Sequence, residues 1–196
     1  MAANEIRESV FSKLVGRWST QSIVTVAIGS ALFGVLLDFV GIPVYTNTKL
    51  SVAYLVPVFV GALYGPLPAG FIGLFGNFFA DLIAGSGFWP EWWIGNFIAA
   101  FVIGLLPLYG ARIEDGIFTK KHAAIFTITS LIGLLVAFGF IAPFLNTLFY
   151  GGEKLINFAQ GYIAVITDGA ITIIAGIPLL FSLAKRNRKN SHLTKE

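Results

Sequence analysis

Cysteine is absent from this 196-residue chain, and charged residues make up only 12% of it. The first absence excludes disulfides, thiolate nucleophiles and cysteine-ligated metals. The second excludes a water-soluble globule, because a soluble domain carries roughly 25% charge. Histidine is nearly missing too: His122 and His192 are the two present. Both fall outside the apolar stretches, so neither an intramembrane Ser–His dyad nor a zinc protease has a histidine to use. No G-x-x-x-x-G-K-[ST] occurs, which rules out ATP binding through a P-loop. The N-terminus lacks a compact apolar run ending in a small-residue cleavage site, so no cleavable signal peptide is expected. The two halves show no obvious inverted repeat of the kind many secondary transporters carry. Enzymatic chemistry, a bound metal, a covalent cofactor and a nucleic-acid partner are therefore not expected.

What is present is apolar. Hydrophobic residues make up 56% of the chain and the mean hydropathy is +0.81. Lipid must be the solvent for most of it. A spanning helix needs about 20 apolar residues to cross a hydrocarbon core of about 30 Å. The chain has room for six such helices and their loops.

The pattern predicts an amphipathic helix over residues 4–18, with Ile6, Val10, Phe11, Leu14, Val15 and Trp18 on one face. Such a segment suits the membrane interface. Spans follow at about 22–40, 52–64, 69–84, 92–109, 123–150 and 155–183, the fifth interrupted by Pro143. Three regions result: a cytoplasmic amphipathic segment at 1–20, a six-span membrane domain at 21–184 and a basic cytoplasmic tail at 185–196. The expected fold class is an all-α integral membrane bundle.

Basic residues test this count. Of the 13, only Lys49 and Lys154 fall on one side of a six-span topology; the other eleven share the side of both termini. The positive-inside rule then makes that side cytoplasmic and the location a multi-pass cell membrane.

Small residues recur at four-residue spacing: Ala27/Ala31, Gly61/Gly65, Ala69/Gly73 and Gly133/Ala137. This spacing lets helices approach closely where hydrophobicity supplies no drive. Packing within the chain accounts for such pairs unless a partner is shown, and spacing alone does not say which face Ala27 and Ala31 present.

Polar and aromatic groups gather near the outer side. Asn77 and Asp81 share a helix face. Phe88, Trp89, Trp92 and Trp93 follow across a short loop, with Asn96 one turn on, and every tryptophan but Trp18 falls in this patch. An interfacial aromatic belt is the bland reading. A density of three tryptophans in five residues, beside an intramembrane Asn and Asp, favours a ligand wall. Tyr45, Thr46 and Asn47 lie in the first outer loop, and Asn146, Tyr150, Asn157, Gln160 and Tyr162 in the later ones. Asp38, Asp81 and Glu91 sit near helix ends, whereas Asp168 lies well inside the sixth span, where a carboxylate is costly and usually functional. Neutral hydrogen-bonding groups interleaved with aromatics suit a planar organic molecule better than an ion, which needs rings of charge or carbonyls.

Two stretches carry a resemblance. The first-span AIGSALFGVL holds the Ala-x-x-x-Ala pair Ala27 and Ala31, and VPVFVGALYGPLPAGFIGLFGNFFADLI runs from Val56 to Ile83 with Gly65-Pro66 at its turn. With six spans and both ends inside, the chain resembles the substrate-binding S component of an energy-coupling factor (ECF) vitamin transporter over nearly its whole length. The resemblance implies a six-helix fold with a pocket near the outer face. It also implies a transmembrane coupling subunit and two cytoplasmic ATPases as partners, with Ala27 and Ala31 at the contact; Gly34 is added here as its extension. Nickel and cobalt members carry an N-terminal Met-His pair, whereas Met1 is followed here by Ala2, so a vitamin is expected. The aromatic, weakly charged outer face favours cobalamin, then riboflavin. A stand-alone secondary transporter or channel for a small organic solute, using Asp81 and Asp168, is the alternative, and a ligand-free membrane scaffold a third.

Overall fold

The computed structural model describes residues 10–45, 48–151 and 153–193. Among the described residues five helices are long and apolar enough to cross a membrane, and a sixth apolar helix, at Val52–Tyr64, is shorter. The first is α1 (Thr20–Phe39), begun by a capping box in which the Ser19 hydroxyl accepts from the Ser22 amide. Residues 10–15 are helical, but the amphipathic helix expected through Trp18 stops earlier. Gly16 adopts φ +75°, a left-handed conformation that terminates it, and Arg17 and Trp18 run on to the Ser19 cap. Residues 4–9 lie outside the described ones.

The first connection, expected as a polar loop, is a β-hairpin. Strand β1 (Ile42–Tyr45) pairs antiparallel with β2 (Thr48–Leu50), Ile42 facing Leu50 and Tyr45 facing Thr48. Lys49 anchors it to α1, its Nζ donating to the Asp38 carbonyl at 2.9 Å and lying 3.3 Å from the Asp38 carboxylate. Hereafter this is the hairpin end of the bundle; the opposite, basic end carries Arg112, Lys120 and Lys185.

A 3-10 turn (Val52–Tyr54) leads into α2 (Leu55–Tyr64), and Gly65 at φ +98° turns the chain directly into α3 (Pro66–Ala84). Pro66 occupies a first-turn position, where its missing N–H costs nothing. Helix α4 (Pro90–Ile103) starts two residues before its expected origin, which moves Glu91 out of the loop and into a helical first turn. After a 3-10 turn (Leu106–Tyr109) comes α5 (Lys120–Leu134), capped by Thr119.

The interruption expected at Pro143 takes the form of a π-helical segment at Leu135–Ile141, followed by α6 (Ala142–Tyr150). Proline cannot donate to the ladder and its ring crowds the carbonyl four residues back; widening the preceding turns accommodates both. The last span comprises α7 (Lys154–Ile174) and α8 (Gly176–Leu193). Helix α8 runs through Lys185 without a break, so the basic tail begins as helix.

Large apolar side chains such as Ile28, Leu82, Leu148, Leu155, Ile166 and Ile174 are exposed around the bundle. Water would penalise that surface; hydrocarbon requires it, with backbone polar groups satisfied inside helices. The core is aromatic and aliphatic, with Phe33, Tyr54, Phe126, Phe138, Ile72 and Ile103 fully buried.

Small residues set the closest approaches. Gly61 faces the Gly104 backbone, Gly133 faces Val102 and Gly73 faces the Asn96 carbonyl. A Cβ at Gly73 would collide with that carbonyl and lie 2.9 Å from the Ala100 Cβ. Gly73→Val is accordingly expected to destabilise the bundle by about 3 kcal/mol, the upper end of overpacking costs. Ala31→Val, at an exposed position, is expected to leave the melting temperature unchanged. Thermal unfolding in detergent, followed by size exclusion, distinguishes them; equal melting of both variants would contradict this packing.

A polar and aromatic cluster at the hairpin end

Helices α3 and α4 run side by side, and their hairpin-end halves turn amides toward each other. Asn77 and Asp81 lie one turn apart on α3; Trp92, Trp93 and Asn96 occupy the facing turns of α4. The Asn96 amide donates to the Asn77 carbonyl at 2.5 Å and to the Trp92 backbone carbonyl at 2.9 Å. The Tyr54 hydroxyl donates to the Asn96 side-chain oxygen at 2.7 Å. Asn77 in turn donates to Asp81 at 3.4 Å. The Asp81 carboxylate also accepts from the Trp93 indole at 2.6 Å and from Ser86 at 2.8 Å. A chain of hydrogen bonds thus runs from Tyr54 to Asp81, with Tyr54, Asn77 and Asn96 all buried. In hydrocarbon such groups have no water to fall back on, so mutual satisfaction is the condition for burying them.

A second set ties α4 to α6. Glu91, fully buried, accepts from the Asn146 amide at 2.6 Å through one carboxylate oxygen. Its other oxygen has no hydrogen-bond partner among the described residues. Glu91 lies in the first turn of α4, where the helix dipole favours negative charge. The Tyr150 hydroxyl donates to the Phe88 carbonyl at 2.9 Å, and the Trp89 indole donates to the Ser86 carbonyl at 2.8 Å.

Aromatic rings fill the space between these polar groups. Phe88 meets Trp93 edge-on at 4.6 Å, Phe78 meets Trp93 at 5.0 Å and Trp89 meets Tyr150 at 5.2 Å. Deeper, Trp92 stacks on Phe138 at 5.8 Å, and Tyr54 lies between Phe33 and Phe138. These edge-on and offset geometries are the favoured ones for aromatic pairs.

Helix α7 contributes an inward polar stripe of Asn157, Gln160, Thr167, Asp168 and Thr172, spaced at helical intervals. Asp168 is buried and within electrostatic range of Tyr54. It lies 14 residues beyond Lys154, about 21 Å along the helix. The side-chain nitrogen of Asn157 is buried without a partner among the described residues.

Of the twelve expected site residues, Asn77, Asp81, Trp92, Trp93 and Asn96 come together directly. Phe88, Trp89 and Tyr150 form the rim, Phe88 being 67% exposed. Asp168 sits deeper, buried on α7 and related to the cluster by its proximity to Tyr54 alone. Tyr45 is exposed on the hairpin, and Asn47 lies outside the described residues. Tyr162 stands apart from the cluster: it is exposed on the other side of α7 from the polar stripe, near Gly139. Its position two residues past Gln160 places it on a different helical face, which a listing of polar residues by loop overlooks.

Gly34 also stands apart from its expected companions. Ala27 and Ala31 are exposed, but Gly34 is buried, and a Cβ there would lie 2.8 Å from the Gly76 carbonyl and 3.1 Å from the Ala80 amide. It serves the contact between α1 and α3, not the surface that carries the alanines. Tyr54 was missed altogether. A lone hydroxyl in the apolar run VAYLVPVF was its signal, since a buried tyrosine needs an acceptor.

Among the described residues no three His, Cys, Asp or Glu side chains gather to hold a metal ion. The carboxylates are held by indole, amide and hydroxyl donors. Aromatic faces, amides and carboxylate acceptors are the groups that pockets for organic ligands combine, and here they are engaged with one another.

Among the described residues, five long apolar helices and a shorter one, with a buried polar cluster at the hairpin end, make this a multi-span membrane bundle of the S-component kind. Residues 17–185 match the family described as ECF-type riboflavin transporter, S component, and the chain belongs to that family. It is similar to a UPF0397 protein of Aliivibrio salmonicida, 37% identical over 178 residues that cover 90% of this chain and 97% of that one. A UPF0397 protein of Vibrio vulnificus is also 37% identical, over 180 residues covering 90% and 97%. No solved structure matches the chain.

Proposed function

We propose that this protein is the substrate-specificity subunit of an ECF-type importer, and that it takes up a conjugated, weakly charged vitamin at the hairpin end. The hydrogen-bonded cluster from Tyr54 to Asp81, walled by Trp92, Trp93 and Phe88, carries this reading. Membership of an S-component family supports it. The hairpin end is the outer face, since nearly all basic residues lie at the other end. A transmembrane coupling subunit and two ATPases supply the energy, and Ala27 and Ala31 form the docking face.

Cobalamin is the first candidate. The polar stripe of α7 extends over 11 residues from Asn157 to Asp168, about 16 Å, which suits a large ligand. Riboflavin is the second, favoured by the description of the matching family. Either ligand must exchange its own hydrogen bonds for those that now link the cluster.

Titration calorimetry of the purified chain with each vitamin tests the reading, alongside an absorbance spectrum of the protein as isolated. Binding of one of them with nanomolar to micromolar affinity is the expected result. Absence of binding by both, together with ion-driven uptake of a small solute in vesicles lacking the coupling module, would favour the stand-alone transporter instead.

A further inference from the structure

Two hollows on the surface adjoin at one residue. The first, of about 490 Å³, lies between α1 and α3 and is lined by Trp18, Val26, Ala27, Phe71, Phe75 and Phe79. The second, of about 570 Å³, is polar and opens beside Arg17, Ser19, Gln21, Tyr64 and Glu114. Trp18 borders both. Its ring packs edge-on against Phe71 at 5.9 Å, and its indole donates to the Val15 carbonyl, so it stands as a fixed post at their junction.

The axial positions match one leaflet. From Ile23 to Ser30, which also line the first hollow, α1 advances about 10 Å, and from Phe71 to Phe79 α3 advances about 12 Å. Half of a hydrocarbon core of about 30 Å is 15 Å deep. The apolar hollow therefore occupies the acyl region of the leaflet at the basic end, and the polar one lies at headgroup level.

The charges at headgroup level come as an adjacent pair. Arg17 donates through Nη2 to the Glu114 carboxylate and to the Leu63 carbonyl at 3.1 Å. Both side chains are exposed, 67% and 42% respectively. A guanidinium has five N–H donors, and only those on Nη2 are engaged among the described residues. The same turn carries a second exposed pair, Arg112 with Asp115 at 3.3 Å. An exposed ion pair of this kind is weak and exchanges its partners readily.

We propose that this continuous surface binds a phospholipid with a zwitterionic head bearing a primary ammonium, of the phosphatidylethanolamine type. In the chain free of its coupling subunit, the phosphate meets Arg17, the ammonium meets Glu114 and one acyl chain lies along Ala27 between α1 and α3, where the docking face is then uncovered. An anionic head such as phosphatidylglycerol would satisfy Arg17 but bring no cation to offset the Glu114 carboxylate next to its phosphate. A quaternary ammonium, as in phosphatidylcholine, has no N–H to donate to that carboxylate.

Native mass spectrometry of the full chain, released from nanodiscs with equal amounts of chain-matched phosphatidylethanolamine, phosphatidylglycerol and phosphatidylcholine, tests this. The expected result is at least threefold greater retention of phosphatidylethanolamine than of either competitor. Glu114→Gln, at an exposed position, should remove that preference without changing the melting temperature. Ala27→Phe should lower retention of all three lipids by filling the apolar hollow. Equal retention of the three by the unaltered chain, or a preference for phosphatidylglycerol, would overturn the headgroup assignment. Undiminished retention by Ala27→Phe would overturn the location.

Discussion

Ala27→Trp is expected to abolish copurification of the chain with its coupling subunit and ATPases, a loss of at least tenfold. Vitamin binding by the isolated chain should stay within twofold of the unaltered protein. The reason lies in where the alanine sits. Ala27 and Ala31 are exposed on α1 one turn apart, and large side chains at Ile23, Ile28 and Leu32 surround them. A partner helix can come close only at the small residues, because lipid tails compete equally for the large ones and tight packing is the remaining drive. An indole at position 27 would hold the partner several ångströms away. Ala27 is exposed at the mouth of an open hollow, so the bundle need not adjust.

Gly34→Trp supplies the contrast. Gly34 meets the backbone of Gly76 and Ala80, so a side chain there would push α1 off α3 and lower the yield of folded protein. Pull-down on a tagged coupling subunit, read beside calorimetry of the isolated chain, separates the two outcomes. If Ala27→Trp still assembled fully, the alanine face would not be the docking surface.

Asn96→Leu is expected to cost about 1–3 kcal/mol of stability and to lower vitamin affinity by at least tenfold. Asn96 is the hub of the cluster: it accepts from Tyr54 and donates to Asn77 and to the Trp92 carbonyl. Leucine fills a similar volume but offers neither donor nor acceptor. The Tyr54 hydroxyl and the Asn77 oxygen would then be stranded where water cannot reach them. Single hydrogen bonds in membrane bundles are often worth less than 1 kcal/mol, since the unfolded chain in lipid also finds partners. Here the substitution breaks three at once. The alignment of Asn77 under Asp81 depends on the same hub, so the Asp81 carboxylate should lose its position as well.

Trp93→Phe makes a milder companion, keeping the ring and removing only the indole donation to Asp81. Thermal melting and vitamin titration of both variants test the cluster. Lost stability with undiminished affinity in Asn96→Leu would make the cluster a packing device and not a ligand site.

Much of this was legible beforehand for a definite physical reason. Lipid leaves few options: backbone groups must be satisfied internally, so an apolar run long enough to span becomes a helix, and counting runs counts helices. The expected spans at 52–64 and 69–84 accordingly meet the structure within three residues at each boundary. Helical periodicity also paired Asn77 with Asp81 and Trp93 with Asn96 correctly, because each pair sits on a single helix. The hairpin strands Ile42–Tyr45 and Thr48–Leu50 were not legible, since four and three residues are too few for an alternating pattern to show.

What the sequence determined by itself is therefore one-dimensional: solvent, number of spans, family resemblance and which residues share a face of one helix. Only the tertiary structure decided which faces meet. It turned Gly34 inward while Ala27 and Ala31 stayed exposed, set Tyr162 away from the polar stripe of its own helix, and brought Tyr54 and Glu91 into the cluster. Those outcomes depend on how each helix is rotated about its axis. Rotation is fixed by contacts such as Gly73 against Asn96 and Gly76 against Phe33, between residues far apart in the chain.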